Sequence, residues 1–200
     1  MTQAAPSPSV SKPPAKGLLS VARTHTVALQ GIEAVAVEVQ AQVRPGITAF
    51  QIVGLPDSAV REAKERVQAA FHSLGIRLPA KRITINLAPA DIAKEGSLYD
   101  LPIAMALLTA LGALPESSTD GALFIGELAL DGRLNPVRGA LAAALHASNA
   151  GLEAVYVPQA NGGEAAWADD IAVYAPAPAP RKPRPDLKCR SGRHTARHSF

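Results

Sequence analysis

The sequence predicts an α+β fold in which one sheet packs against about three helices. Three observations predict it. Between Val21 and Val53 apolar residues alternate with polar ones in three successive runs broken by glycine and proline. A 3.6-residue apolar stripe follows from Val60 to Leu74. A third kind of segment, Arg82–Leu87, is strand-like and leads through a charged turn into an Ala/Leu-rich stretch. Such a mixture of period-2 and period-3.6 segments calls for a sheet covered by helices.

Taken in order, residues 1–17 are rich in Pro, Ser, Ala and Lys and read as a disordered leader. From Leu18 through Val21 and Thr24–Leu29, then over Ile32–Val43 and Ile47–Val53, alternation predicts three strands, with Gly31 and Pro45-Gly46 as their turns. Short turns between consecutive strands predict an antiparallel meander. Asp57-Ser58 then caps a helix whose stripe is Val60, Ala63, Lys64, Val67, Ala70, Phe71 and Leu74, and Gly75 ends it. Arg61, Glu62, Lys64, Glu65 and Arg66 fall mostly on its outer face, with Glu62 and Arg66 spaced as an i,i+4 pair.

Ile83, Ile85 and Leu87 alternate with Thr84 and Asn86, and Pro89 stops the strand. Asp91, Lys94, Glu95 and Asp100 crowd around Gly96, and Asp100 stands where a cap is expected for a helix over 101–111. Beyond a turn-rich connection, Ala122–Leu130 reads as a strand and Asp131-Gly132 as a hairpin turn. Gly139–Ala150 is a small-residue helix, Val155–Val157 a strand, Gln159–Ala168 a short helix and Ile171–Tyr174 a last strand. One globular domain therefore occupies 18–175, and a Pro-rich basic tail occupies 176–200.

Composition narrows the function. Aromatics are only 4% of the chain, which argues against a base-stacking platform for single strands. No apolar run approaches a membrane span, no secretory pattern opens the chain, and the single Cys189 rules out an internal disulfide. These point to a soluble cytoplasmic protein. Of the net charge of +3, the tail holds +6 (Arg181, Lys182, Arg184, Lys188, Arg190, Arg193 and Arg197 against Asp186), leaving about −3 for residues 1–175. The basic isoelectric point belongs to the tail.

Several ordered segments together resemble a known family. They are Val53-Gly54-Leu55-Pro56-Asp57, Ala80-Lys81-Arg82 through Asp91, Lys94-Glu95-Gly96, Tyr99-Asp100-Leu101-Pro102-Ile103-Ala104, Phe124-Ile125-Gly126-Glu127-Leu128 and Asn135-Pro136-Val137-Arg138-Gly139. Over roughly residues 18–175 the chain looks like the N-terminal domain of the ComM/YifB family, the magnesium-chelatase-like AAA+ ATPases. The resemblance implies a Lon-protease-like (ChlI-like) fold. It also implies a hexameric homo-oligomer, an attached AAA+ module using ATP and Mg²⁺, and ATP-dependent DNA branch migration during natural transformation. The chain contains no G-x-x-x-x-G-K-[ST] phosphate loop, and its tail departs from the family where the linker should begin. A truncated or frame-shifted product is expected on that basis.

Active Lon-like proteases pair a Ser nucleophile with a Lys base. By the resemblance, the nucleophile position falls on Asp100 when counted from the helix and on Leu98 when counted from Lys94-Glu95-Gly96. The Lys position falls on Leu141. The dyad is missing, so no catalytic residue is assigned. Ser97 with Lys94 or Lys81 is the remaining peptidase alternative, and a magnesium-chelatase-like accessory domain is another. Asn86, Asp91, Lys94, Glu95 and Asp100 form the candidate loop, read either as turn-and-cap chemistry or as an interface to a neighbouring subunit or the ATPase module. A metal site from its carboxylates would require them to converge, and none is assigned. Lys81 and Arg82, with Arg77 nearby, and Arg133 and Arg138 are the candidate DNA contacts. Cys189, His194 and His198 are one ligand short of a tetrahedral zinc site.

Overall fold

The computed structural model describes residues 21–177. The leader, most of the basic tail and the Cys189, His194 and His198 positions lie outside the described residues. The mixed sheet has seven strands: β1 (Val21–Gln30), β2 (Glu33–Arg44), β3 (Ala49–Val53), β4 (Arg82–Ala88), β5 (Ala122–Phe124), β8 (Ala154–Tyr156) and β9 (Ala172–Tyr174). Its order is β3-β4-β2-β1-β5-β8-β9, and β6 (Glu127–Leu128) with β7 (Leu134–Asn135) makes a separate hairpin. Four helices accompany it: α1 (Ser58–Ser73), α2 (Asp100–Ala110), α3 (Ala140–Asn149) and the single turn α4 (Gly162–Ala165). The α+β expectation holds. No helix among the described residues is long and apolar enough to cross a membrane.

The meander does not form. β1 and β2 make the expected antiparallel hairpin, but β4 takes the outer edge of β2 in antiparallel register, and β3 pairs with β4 in parallel. Parallel neighbours need a crossover, and α1 supplies it between β3 and β4. The insertion is physical: β4 is seven residues long and matches β2 along its whole length, whereas β3 offers only five.

One face of the sheet, carrying Thr24, Val37, Val39, Ala41, Ile83, Ile85 and Leu87, is buried. α2 packs on it, and the Thr24 hydroxyl donates to the Pro102 carbonyl at 3.1 Å. α1 lies beside α2 and buries Val60, Val67 and Phe71, each worth about 2 kcal/mol of apolar transfer. α3 lies against the opposite face, where Leu29 projects by strand alternation. Its inward residues are Ala140, Ala143, Ala144 and Ala147, and small side chains permit that close approach. A Cβ on Gly139 would sit 2.6 Å from a Leu29 methyl.

The expected strand Ala122–Leu130 breaks in two. At Gly126 the backbone leaves the sheet, its N–H donating to the Leu98 carbonyl and its carbonyl accepting from Leu101 N–H, both at 3.0 Å. The hairpin is thereby tied to the loop before α2.

Candidate functional site

The site begins where β4 ends. Strand alternation turns Asn86 to the face away from α2, and its amide donates to Gln40, its register partner on β2, at 3.0 Å. After Pro89 the chain returns to the start of α1. Lys94 N–H donates to the Leu55 carbonyl at 3.3 Å and the Asp57 N–H to the Lys94 carbonyl at 3.0 Å, an isolated parallel bridge. Asp57 is the cap expected for α1, accepting from Val60 N–H at 2.7 Å. Its second oxygen accepts from Gly96 N–H at 3.1 Å, so one carboxylate fixes both the helix start and the loop.

Lys94 is not a surface residue. Its side chain is buried and its ammonium donates to the Pro89 carbonyl. Burial holds that ammonium below the usual lysine range, with Asp91 pulling the other way. Tyr99 is buried with its hydroxyl unpartnered among the described residues, and burial, then Asp57 and Glu95, push its ionisation far above the usual range. Asp91 and Glu95 are exposed. They do not gather with Asp100, and among the described residues no group of His, Cys, Asp or Glu is placed to hold a metal.

The reading of Asp100 as a helix cap is corrected. Tyr99 occupies the cap position and makes no side-chain cap bond, while Asp100 lies in the first turn, fully buried. Its carboxylate turns to Arg66, which donates through Nε at 2.6 Å and Nη2 at 3.0 Å. It also accepts from Leu128 N–H at 3.0 Å. Burial pushes the Asp100 carboxyl up, while the Arg66 fork and the Leu128 N–H oppose that shift. Arg66 in turn donates to the Ala59 carbonyl at 2.9 Å and stands 3.6 Å from Glu62. It is therefore not an outer-face residue, although the expected i,i+4 pair is present.

Glu127 completes the cluster. Bonds from the Ser97 hydroxyl and the Asn135 amide, the latter at 2.9 Å, hold its carboxyl below the usual range. Sequence reasoning missed Arg66, Glu127 and Asn135. The signal for the last two was available: they are cross-strand partners flanking Asp131-Gly132, inside segments that carry the family resemblance. Chemically the cluster is a clamp joining α1, α2 and the hairpin. Ser97 is bonded to Glu127 and Lys94 to Pro89, so neither presents the hydroxyl–amine contact that a dyad requires.

The candidate DNA contacts separate into two groups. Lys81 is exposed and leads into β4, where Arg82 stands directly across from Arg44 of β2. Neither Arg44, Arg77, Lys81 nor Arg82 has an ion pair among the described residues, and no Asp or Glu occurs from 39 to 56 or from 66 to 90. Arg133 sits beside Gly132, which abuts Leu74 at the end of α1, and it is already paired with Asp131 at 2.9 Å. Arg138 is exposed beside Gly139, which abuts Leu29 on the opposite face of the sheet.

This arrangement has known relatives. Residues 37–161, from within β2 through the loop and hairpin to the residue before α4, match the family described as subunit ChlI of Mg-chelatase. An uncharacterized protein of Mycobacterium tuberculosis is 41% identical over 155 residues, 78% of this chain and 31% of its own length. The uncharacterized protein YifB of Escherichia coli is 44% identical over 133 residues, 66% of this chain and 26% of its own. Competence protein ComM of Haemophilus influenzae is 39% identical over 156 residues, 78% of this chain and 30% of its own. The chain thus spans less than a third of the length of these relatives. It belongs to the ChlI family of Mg-chelatase-like proteins, with YifB and ComM among its homologues.

Proposed function

We propose that this chain acts as a non-catalytic N-terminal domain of a ComM/YifB-type AAA+ ATPase, docking on the ATPase module and helping a homo-oligomer engage DNA. The observation that carries the reading is the fate of the Asp100 position. At one of the two positions where the Lon-like resemblance expects a nucleophile, a buried carboxylate is locked to Arg66 and to the Leu128 backbone, and the other position is the apolar Leu98. That chemistry holds elements together, and neither position offers a nucleophile. ATP and Mg²⁺ belong to the attached module, and the exposed Asp91 and Glu95 beside the clamp offer it a polar docking edge. The homology to ComM, a competence protein by name, supports a role in DNA uptake or recombination. Arg44 and Arg82, cross-strand neighbours without an ion pair among the described residues, with Lys81 next in the chain, support contact with a phosphate backbone.

The test is binding of a labelled branched duplex by the full chain and by a variant whose seven tail cations are replaced by serine. Retained, salt-dependent binding by the variant supports the folded domain as the DNA reader. Loss of all binding with the tail charges, together with no association with a ComM-type ATPase module, overturns the reading. Cleavage of a fluorogenic peptide that disappears in Ser97→Ala would favour the peptidase alternative instead.

A further inference from the structure

Among the described residues β3 is the outer strand of the sheet, paired on one side only, in parallel with β4. From Pro45 to Pro56 the sequence Pro-Gly-Ile-Thr-Ala-Phe-Gln-Ile-Val-Gly-Leu-Pro holds no charged residue. Natural edge strands are usually guarded by a lysine, an internal proline or a bulge, and here the prolines lie outside the strand. Ala49 N–H points inward, to the Lys81 carbonyl. Backbone alternation therefore turns the amides and carbonyls of Phe50 and Ile52 outward. The same edge concentrates exposed apolar side chains: Ile47 is 83% exposed, Val53 46% and Leu55 57%.

We propose that β3 is a self-association edge, where two copies of this chain pair their β3 strands antiparallel about a two-fold axis through Gln51. In that register Phe50 of one copy and Ile52 of the other exchange both backbone hydrogen bonds, using the outward groups just identified. Gln51 faces Gln51, and Ala49 faces Val53, so the pairing spans the whole of β3. Within β3 the one polar side chain meets its own copy, and the exposed Val53 meets the apolar Ala49. Moving the register by two residues either way sets Gln51 against Ala49 or Val53. A one-residue slip would set core-facing positions opposite solvent-facing ones. An isologous contact closes on itself, so it yields a dimer and not a filament. The proposal does not depend on the nucleic-acid reading.

The test uses the full chain with Cys189→Ser, leaving no native thiol. Gln51 is a non-hydrogen-bonded position of the pair, with Cα atoms about 4.5 Å apart, within disulfide reach. Gln51→Cys is expected to form a covalent dimer under mild oxidation. Ile32→Cys, 94% exposed in the β1–β2 turn, is expected not to. Sedimentation of the unmodified chain is expected to show a monomer–dimer equilibrium between about 1 µM and about 1 mM. Gln51→Glu, which sets two like charges face to face, should weaken it about tenfold with an unchanged circular-dichroism melt. A chain that stays monomeric throughout overturns the proposal, as does cross-linking no faster at 51 than at 32. DNA affinity, read separately, is expected to be the same in both.

Discussion

Arg66 and Asp100, thirty-four residues apart, are joined by two hydrogen bonds of 2.6 and 3.0 Å, and the carboxylate is fully buried. The pair welds the middle of α1 to the first turn of α2, and Leu128 N–H adds the hairpin. Asp100→Ala leaves a partly buried guanidinium and a buried N–H without their acceptor, a loss of about 3–5 kcal/mol. Urea unfolding should show it as a lower midpoint at unchanged slope. Replacing both partners, as in Arg66→Met with Asp100→Leu, removes the stranded charge and should recover much of that loss. A double mutant no more stable than Asp100→Ala would mean that the pair is not what the single variant breaks.

The neighbouring carboxylates respond to pH in opposite senses. Glu127, bonded by Ser97 and Asn135, has a folded ionisation below its unfolded one. Its stabilisation is therefore present above the ordinary glutamate value of about 4.3 and is lost as pH falls through the depressed folded value. Asp100 is shifted up, chiefly by burial, so its contribution is largest in acid and declines as pH rises through the folded value. Glu127→Gln should accordingly cost more stability at pH 7 than at pH 3. Thermal melts of both proteins across that range measure the difference, and a gap that widens toward acid contradicts the assignment.

Gly54 tests how the edge strand is held. Its φ is +101°, and a Cβ there would lie 2.1 Å from the Leu87 carbonyl oxygen, a backbone atom that cannot swing away. Gly54→Ala should cost more than about 3 kcal/mol, from strain in the left-handed region added to the clash. Gly139→Ala meets only the flexible end of Leu29 at 2.6 Å, with φ of +81°. It should cost less, because that side chain can move. Chemical denaturation of the two variants side by side gives the ranking, and equal losses would show that the close approach at Gly54 relaxes freely.

These comparisons show what was legible in the sequence and why the rest was not. The ends of α1 were legible because capping is local: Asp57 bonds three residues ahead, and Gly75 adopts φ of +77°. The inward face of β4 was legible for the same reason. The place of β3 was not, because alternation reports which face is buried and is silent about which strand lies alongside. Arg66 stands among Glu62, Lys64 and Glu65 and reads as solvated. Only the fold brings Asp100 to it. Lys94 reads as a loop residue, and nothing local signals its burial, since the Leu55–Asp57 backbone it bonds to is some forty residues earlier.

Lys81 and Arg82 bear on the nucleic-acid reading most directly. Each phosphate neutralised by a cation contributes a slope of about −0.9 to the logarithm of affinity against the logarithm of salt for duplex DNA. Lys81→Ala and Arg82→Ala should each weaken binding across all sequences and reduce that slope by about 1. Arg44→Ala should do the same, since Arg44 faces Arg82 across the strands and neither has an ion pair among the described residues. Arg133→Ala should leave the slope unchanged, because Asp131 already holds that guanidinium at 2.9 Å. Anisotropy titrations of a labelled duplex between about 50 and about 200 mM salt separate the two groups. If Arg133 carries the slope and the β4 cluster does not, the DNA path runs over the hairpin instead of the sheet end.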